Sequence, residues 1–323
     1  MLSPVTGLLS NSDGLTVIVT ALKGRHLPQL FGQPGHPAQA IPLSPRAEFR
    51  ALLQHVDPPH KLLIQLSWAK SPLLLTLVVL QRCSSGPACN SSPIPHSTPR
   101  VASRPGPVTL EKLSDPAIRP ASLAQIDVVL LSHDHHYDNL DRAGRTLLAK
   151  AGRVLTTTAG AQRLMGNAVG LETWQSFAAP AVAGGNFTIT ATPARHGPAG
   201  RDRGPVCGFV VSYSEAPGVD IFISGDTVWY ERVAEVAKRF NIATAVLFMG
   251  AAQVPAVPNS PLTMTAADAI EAALAFSRAA IIPLHYEGWA HFTESREQIA
   301  ESFERAGMQH RVLWLPPGKK VTV

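Results

Sequence analysis

Seven consecutive residues, His133-Asp134-His135-His136-Tyr137-Asp138-Asn139, offer three imidazoles and two carboxylates. They directly follow the apolar stretch Ile126 to Ser132 (IDVVLLS). Ordinary packing does not explain such a cluster, because polar side chains at the end of a buried strand need partners. Three more groups occupy equivalent places: His196 after NFTITATPAR, Asp226 after VDIFISG, and His285 after AIIPL. Taken alone, His196 or His285 is more often a solvated or hydrogen-bonded side chain, and Asp226 in SGDT suits a turn or helix cap. Together they form a set of imidazole and carboxylate donors without cysteine. Zinc or a similar borderline divalent ion takes such donors in hydrolytic sites, where a coordination position stays open for water.

These groups must be held by elements that end where the chemistry begins. From Leu110 onward, compact apolar β-runs alternate with amphipathic helical stretches, the pattern of a layered α/β fold. Strands are expected at 126–132, 154–157, 186–192, 206–212, 219–224, 243–249, 280–284 and 312–315. Apolar residues at helical spacing predict helices over 229–240, 266–276 and 295–306, with Thr265 as an N-cap. Four of the strands deliver an imidazole or carboxylate at their ends, where backbone pairing fixes the strand and its last side chains project into a crevice.

Upstream the text differs. Of the 28 prolines, 17 precede residue 121, and Cys83 to Pro107 is a Ser/Pro/Arg-rich stretch that cannot sustain regular structure. The division expected is a divergent segment over 1–82, a linker over 83–107 and a metallo-hydrolase-like domain over 108–323. Within the first segment Gly14 to Leu22 reads as a strand and Pro45 to His55 as a short helix. Leu62 to Leu80 has the length of a membrane span, but Lys70 and Pro72 interrupt it, so it reads as buried strand or helix and no transmembrane segment is expected.

The net charge of +5 resides entirely in this first part, since residues 1–120 carry +6 and the remainder −1. That excess sits among prolines without interleaved aromatics, which argues against a nucleic-acid partner. Three cysteines without a CxxC pair fit a reducing compartment, and the start lacks the basic and apolar regions of a signal peptide, so a cytoplasmic location is expected. With 45% hydrophobic residues the chain can bury a substantial core, which excludes disorder throughout.

In order and context the segments SHDHHYDNLD, PARHGP, SGDTVWY and PLHYEGWAHF resemble the metallo-β-lactamase superfamily, in the branch that contains L-ascorbate-6-phosphate lactonase and N-acylphosphatidylethanolamine phospholipase D. The resemblance spans about residues 108 to 323 and implies an αββα sandwich. It also implies that His133, His135 and His196 bind one metal, that Asp226 bridges, and that Asp138 and His285 bind a second. Two departures stand out. Asp138 lies one residue later than the pattern places it, and Asn139 occupies the position of a histidine, so His136 would fill the missing role. An alternative register aligns Asp134, His136, Asp138 and Asn139 instead. Residues 1–107 show no counterpart to the family's strand-rich first lobe, leaving the sandwich poorly matched and incomplete at that end.

The implied cofactor is Zn2+, as one or two ions, with Mn2+ or Fe as alternatives. A divalent ion lowers the pKa of bound water to about 7 and so makes hydroxide available at neutral pH. The expected reaction is hydrolysis of a phosphodiester or of a lactone or ester, on a small-molecule or lipid-like substrate. Asp138 would orient the water, and His291 or Tyr286 would protonate the leaving group. Two other readings use the same residues: iron-dependent oxidation of a thiol or persulfide, and a degenerate member that binds metal without catalysis.

Overall fold

A computed structural model describes residues 16–21, 61–68, 71–80, 110–111, 113, 126–136, 138–140, 142–180, 185–316 and 319–322. The expected helix at Pro45 to His55 and the linker at 83–107 lie outside these residues. The described elements form two facing sheets flanked by helices.

The first sheet takes three strands from the N-terminal part: β1 (Thr16–Ala21), β2 (Lys61–Trp68) and β3 (Ser71–Leu80). It continues with β4 (Val128–Leu131), β5 (Arg153–Thr157) and β6 (Ala168–Leu171), and the C-terminal strand β13 (Lys319–Thr322) closes its far edge. Its order is β13-β2-β3-β1-β4-β5-β6. β1 runs antiparallel between β3 and β4, pairing Thr16 with both Leu80 and Leu131. The stretch with the length of a membrane span is therefore a β2–β3 pair, with Ile64 opposite Leu77. Among the described residues no helix is long and apolar enough to cross a membrane.

The second sheet holds β7 (Ser176–Pro180), β8 (Asn186–Pro193), β9 (Cys207–Tyr213), β10 (Asp220–Ile223), β11 (Ile242–Phe248) and β12 (Ala280–Leu284), in the order β12-β11-β10-β9-β8-β7. Alternation along the strands sorts side chains between layers. Val128 and Leu130 face Ile189, Phe209, Val211, Ile223, Val246 and Phe248 in the core between the sheets. Their neighbours Val129 and Leu131 turn outward to Leu148 of α1 (Arg142–Leu148). Likewise Val210, Phe222, Ala245 and Leu247 face α5 (Ala266–Ala275) and α6 (Arg296–Arg305) through Ala269, Ala272, Ile299 and Phe303. Strands covered on both faces read as continuous apolar runs, and this is why they were visible in the sequence. The architecture is an αββα sandwich, as the resemblance implied.

Local differences have local causes. The expected helix at 229–240 is two four-residue pieces, α3 (Glu231–Ala234) and α4 (Val236–Arg239). It starts late because the Trp229 ring packs edge-on against Phe276 at 5.9 Å and Tyr230 lies under Arg195. The expected strand at 312–315 is reduced to a single bridge between Val312 and Ile281. Thr265 caps α5 as expected, in a reciprocal box with Asp268, and Ser295 with Gln298 does the same for α6. The remaining helix, α2 (Thr158–Leu164), leads from β5 towards β6.

Candidate metal centre

Four strand ends converge at one edge of the sandwich. β4 leads into His133, β8 into His196, β10 into Asp226 and β12 into His285, and all four side chains are buried. The β10 turn is tight: Gly225 has φ +60°, and a Cβ there would stand 2.7 Å from the Cys207 carbonyl oxygen. Only glycine accepts that approach and that angle without strain. His285 also sits at positive φ, 58°, a strained conformation for a non-glycine residue and one that recurs where a side chain must be aimed.

The Asp226 carboxylate is the hub. Its Oδ2 lies 3.8 Å from His133 Nε2 and 3.7 Å from His196 Nε2, while Oδ1 lies 3.7 Å from His285 Nε2. These gaps exceed a hydrogen bond. They approach the roughly 3.4 Å that separates two donors each about 2.1 Å from a shared tetrahedral ion. His196 donates from Nδ1 to the Leu262 carbonyl at 2.9 Å, which leaves the Nε2 lone pair facing the centre. His136 joins from the β4 loop, with Nδ1 3.1 Å from His133 Nε2. The donor atoms of His133, His136 and His196 all lie within 4.8 Å of one another.

The remaining sequence candidates divide. His135 Nε2 donates to the Arg203 carbonyl at 2.7 Å and so turns away from that trio, although its ring stays 5.1 Å from that of His133. Asp138 faces His291, with 3.5 Å between Oδ2 and Nε2. Asn139, at the position where the resemblance expects a histidine, donates its amide to the His133 carbonyl and closes the loop on itself. Asp134 is held by Arg163, whose Nε donates to Oδ2 at 2.8 Å, and Arg145 donates to the Asp134 carbonyl at 2.6 Å. Tyr286 is buried in the outer core with its ring edge-on to Trp314 at 5.6 Å.

Burial dominates the electrostatics. It lowers the basicity of His133 and His196, with further lowering of His133 by His136, and it brings His285 and His291 down to about 4 and His136 to about 3. Burial pushes the Asp226 carboxyl up to about 7. For Asp138 burial acts upward, but His291 and His136 outweigh it and leave the carboxyl lowered. For Asp134 burial again acts upward, and the Arg163 guanidinium overrides it and holds the carboxyl well below the usual range. The imidazoles are therefore neutral at pH 7, as metal binding requires.

A cation fits this donor set. Asp226 Oδ1, Asp138 Oδ1, His291 Nδ1 and both ring nitrogens of His285 are buried without a hydrogen-bond partner. Buried polar atoms in that state are costly and rarely left unexplained. Sequence reasoning missed Arg163 and Arg145, because arginines on helices carry no local sign that they anchor a loop in another element.

Residues 101–286 match the family described as the Beta-lactamase superfamily domain. The chain belongs to that superfamily. A metal-dependent hydrolase of Methanoculleus marisnigri is 27% identical over 221 residues, covering 65% of this chain and 88% of the relative. Among solved structures, isothiocyanate hydrolase from Delia radicum gut bacteria superposes with a TM-score of 0.53 at 24% identity, over 62% of this chain and 78% of that one. A possible metal-dependent hydrolase from Veillonella parvula gives 0.53 at 18% identity, over 63% and 77%. At these identities the two structures speak for the β-lactamase superfamily fold alone. The family match starts at residue 101, downstream of β1 to β3.

Proposed function

We propose that this metal-dependent hydrolase of the β-lactamase superfamily cleaves a phosphodiester or a lactone- or ester-type bond with zinc as its ion. His133, His136, His196, Asp226 and His285 would hold the metal. The reading rests on one observation: three imidazole Nε2 atoms stand 3.7 to 3.8 Å from a single buried carboxylate. Histidine and aspartate without cysteine suit zinc in a hydrolytic site.

A bound divalent cation supplies a water of lowered pKa and a Lewis acid for the bond under attack. The chain's own residues do the rest. Asp138, lowered below the usual carboxylate range, is an acceptor able to orient that water. His291, 3.5 Å from Asp138 Oδ2, can take a proton there and return it to the leaving group. The Leu262 carbonyl fixes the His196 tautomer, and the Arg163–Asp134 pair fixes the loop that carries His133 and His136.

Asp226→Asn tests the proposal, because the amide keeps the shape and removes the charge. Wild-type protein should carry stoichiometric zinc by elemental analysis and turn over bis(para-nitrophenyl) phosphate or a simple lactone. The variant should lose the metal, and turnover should fall by more than the roughly 100-fold limit for losing a residue that only orients a ligand. A variant that retains both metal and rate overturns the assignment.

A further inference from the structure

A cleft of about 510 Å³ is lined by Arg195, the residue before His196, and by Asp202, Gly204, Tyr230, Glu231 and Arg232 among others. We infer that this cleft receives an anionic group of the substrate, carboxylate or phosphate, and that Arg195 is the residue that selects for it. The inference rests on the hydrolase reading above and adds the substrate class.

Position is the first argument. Arg195 immediately precedes His196, and its backbone is tied to the residues after Asp226 on both sides: its N–H donates to Thr227 Oγ1 at 2.9 Å, and its carbonyl accepts from Val228 N at 3.0 Å. The opposite wall touches the cluster too. A Cβ on Gly204, at φ +102°, would stand 2.8 Å from His135 Nε2, so the missing side chain lets the cleft wall lie directly against that imidazole. The cleft is thus lined by the chain neighbour of His196 on one side and by a glycine packed against His135 on the other.

The guanidinium is the second argument. It sits over the Tyr230 ring, with Cζ 4.2 Å from the centroid, and its Nε donates to the Gly197 carbonyl at 3.2 Å. Stacking on one face and anchoring at Nε fix the plane of the fork, which leaves little rotamer freedom to lose on binding. Among the described residues no carboxylate pairs with Arg195. A half-buried cation held over a ring, anchored at Nε and unneutralised suits a carboxylate or phosphate group that can take two parallel hydrogen bonds.

The cleft also carries two carboxylates, and their placement decides the sign of its field. Asp202 and Glu231 are exposed, as is Arg232, and Asp202 already accepts from Gly204 N at 3.1 Å in its own turn. Charges in water interact at a dielectric near 80, whereas a half-buried group at an effective value nearer 20 acts about four times as strongly at equal distance. Arg195 therefore dominates the interior of the cleft, and the three exposed charges at its rim leave a net −1 that water screens about four times more strongly.

The test uses zinc-loaded full-length protein and three para-nitrophenyl esters of matched chain length, ending in a methyl, a carboxylate or a phosphonate. Hydrolysis of the methyl-ended ester reports on the hydrolase reading alone; no turnover of any ester would count against that reading. Wild type should prefer at least one anionic ester in kcat/KM, and the carboxylate and phosphonate arms identify which. In Arg195→Met this preference should shrink by about 10- to 100-fold, mainly through KM, the loss expected for charge-assisted hydrogen bonds to a bound anion. Arg195→Lys should recover part of it, because charge without a planar fork is retained. Wild-type turnover without preference between the neutral and anionic esters overturns the inference with no variant needed. So does an undiminished preference in metal-loaded Arg195→Met.

Discussion

The choice between His135 and His136 is made by single atoms. His136 Nδ1 lies 3.1 Å from His133 Nε2, whereas His135 Nε2 is taken by a backbone carbonyl 68 residues away, at Arg203. His136→Ala should therefore weaken zinc binding by more than about 10-fold in competition with a chelator, and His135→Ala should change it less. The reverse ranking would return His135 to the centre, as the first sequence register has it. The kinds of donors and their order along the chain were legible, because each follows an apolar run whose end exposes it. Which of two adjacent imidazoles turns inward was not legible, since it depends on the distant Arg203 carbonyl and on Asn139 closing the loop through the His133 carbonyl. The resemblance marked Asn139 as the place of a lost ligand. Its amide instead holds the backbone of another ligand, a role that only coordinates reveal.

At the scale of elements, what the sequence made legible was what local chemistry decides. The caps at Thr265 and Ser295 were readable or nearly so, because cap and partner lie three residues apart. β6 and β7 escaped notice because four or five partly exposed residues carry no strong alternation. Equally invisible was how the C-terminal end of α5 is satisfied. The Arg311 guanidinium donates to the carbonyls of Ala273 at 2.6 Å, Phe276 at 2.5 Å and Ala279 at 2.8 Å, from a segment more than thirty residues on. Arg311→Met keeps the aliphatic stem and strands those carbonyls, so it should cost about 2 kcal/mol or more. A loss of that size lowers the thermal midpoint by roughly 3 °C in a protein of this size. Arg305→Met provides the contrast. It removes an exposed pair with Glu301 at 3.7 Å, of the kind that contributes at most about 1 kcal/mol. Equal midpoints for the two variants would show that Arg311 does not secure the helix end.

The whole molecule brings strands from its N-terminal part, its middle and its C-terminus into one sandwich, and it buries at the edge five imidazoles that a denatured chain would expose. That burial sets the pH dependence of the metal-free protein. His285 and His291 are held down to about 4 and His136 to about 3, with His133 and His196 also lowered, whereas unfolded histidines titrate near 6.5. Below about pH 6.5 the unfolded chain therefore binds more protons than the folded one, and stability falls as pH falls, by up to about 1.4 kcal/mol per pH unit for each group. Asp226 opposes this trend. Raised to about 7, it takes its proton first in the folded state and adds stability as pH drops from about 7 towards the ordinary carboxylate range. Asp268 and Glu294, also raised by burial, join it only near the ordinary carboxylate range, so against five imidazoles the net sign stays destabilising. Urea midpoints of metal-free protein should stay level from pH 8 to 7 and decline from 6.5 to 4.5, and His285→Gln should flatten the decline by removing one of the groups responsible. Zinc should raise the midpoint at pH 7.5, and by less at pH 5, because protons and metal compete for the same lone pairs. A metal-free midpoint that holds or rises between pH 6.5 and 4.5 would mean that the imidazoles are charged in the folded state, and a centre of mutually repelling cations could not have the packing described above.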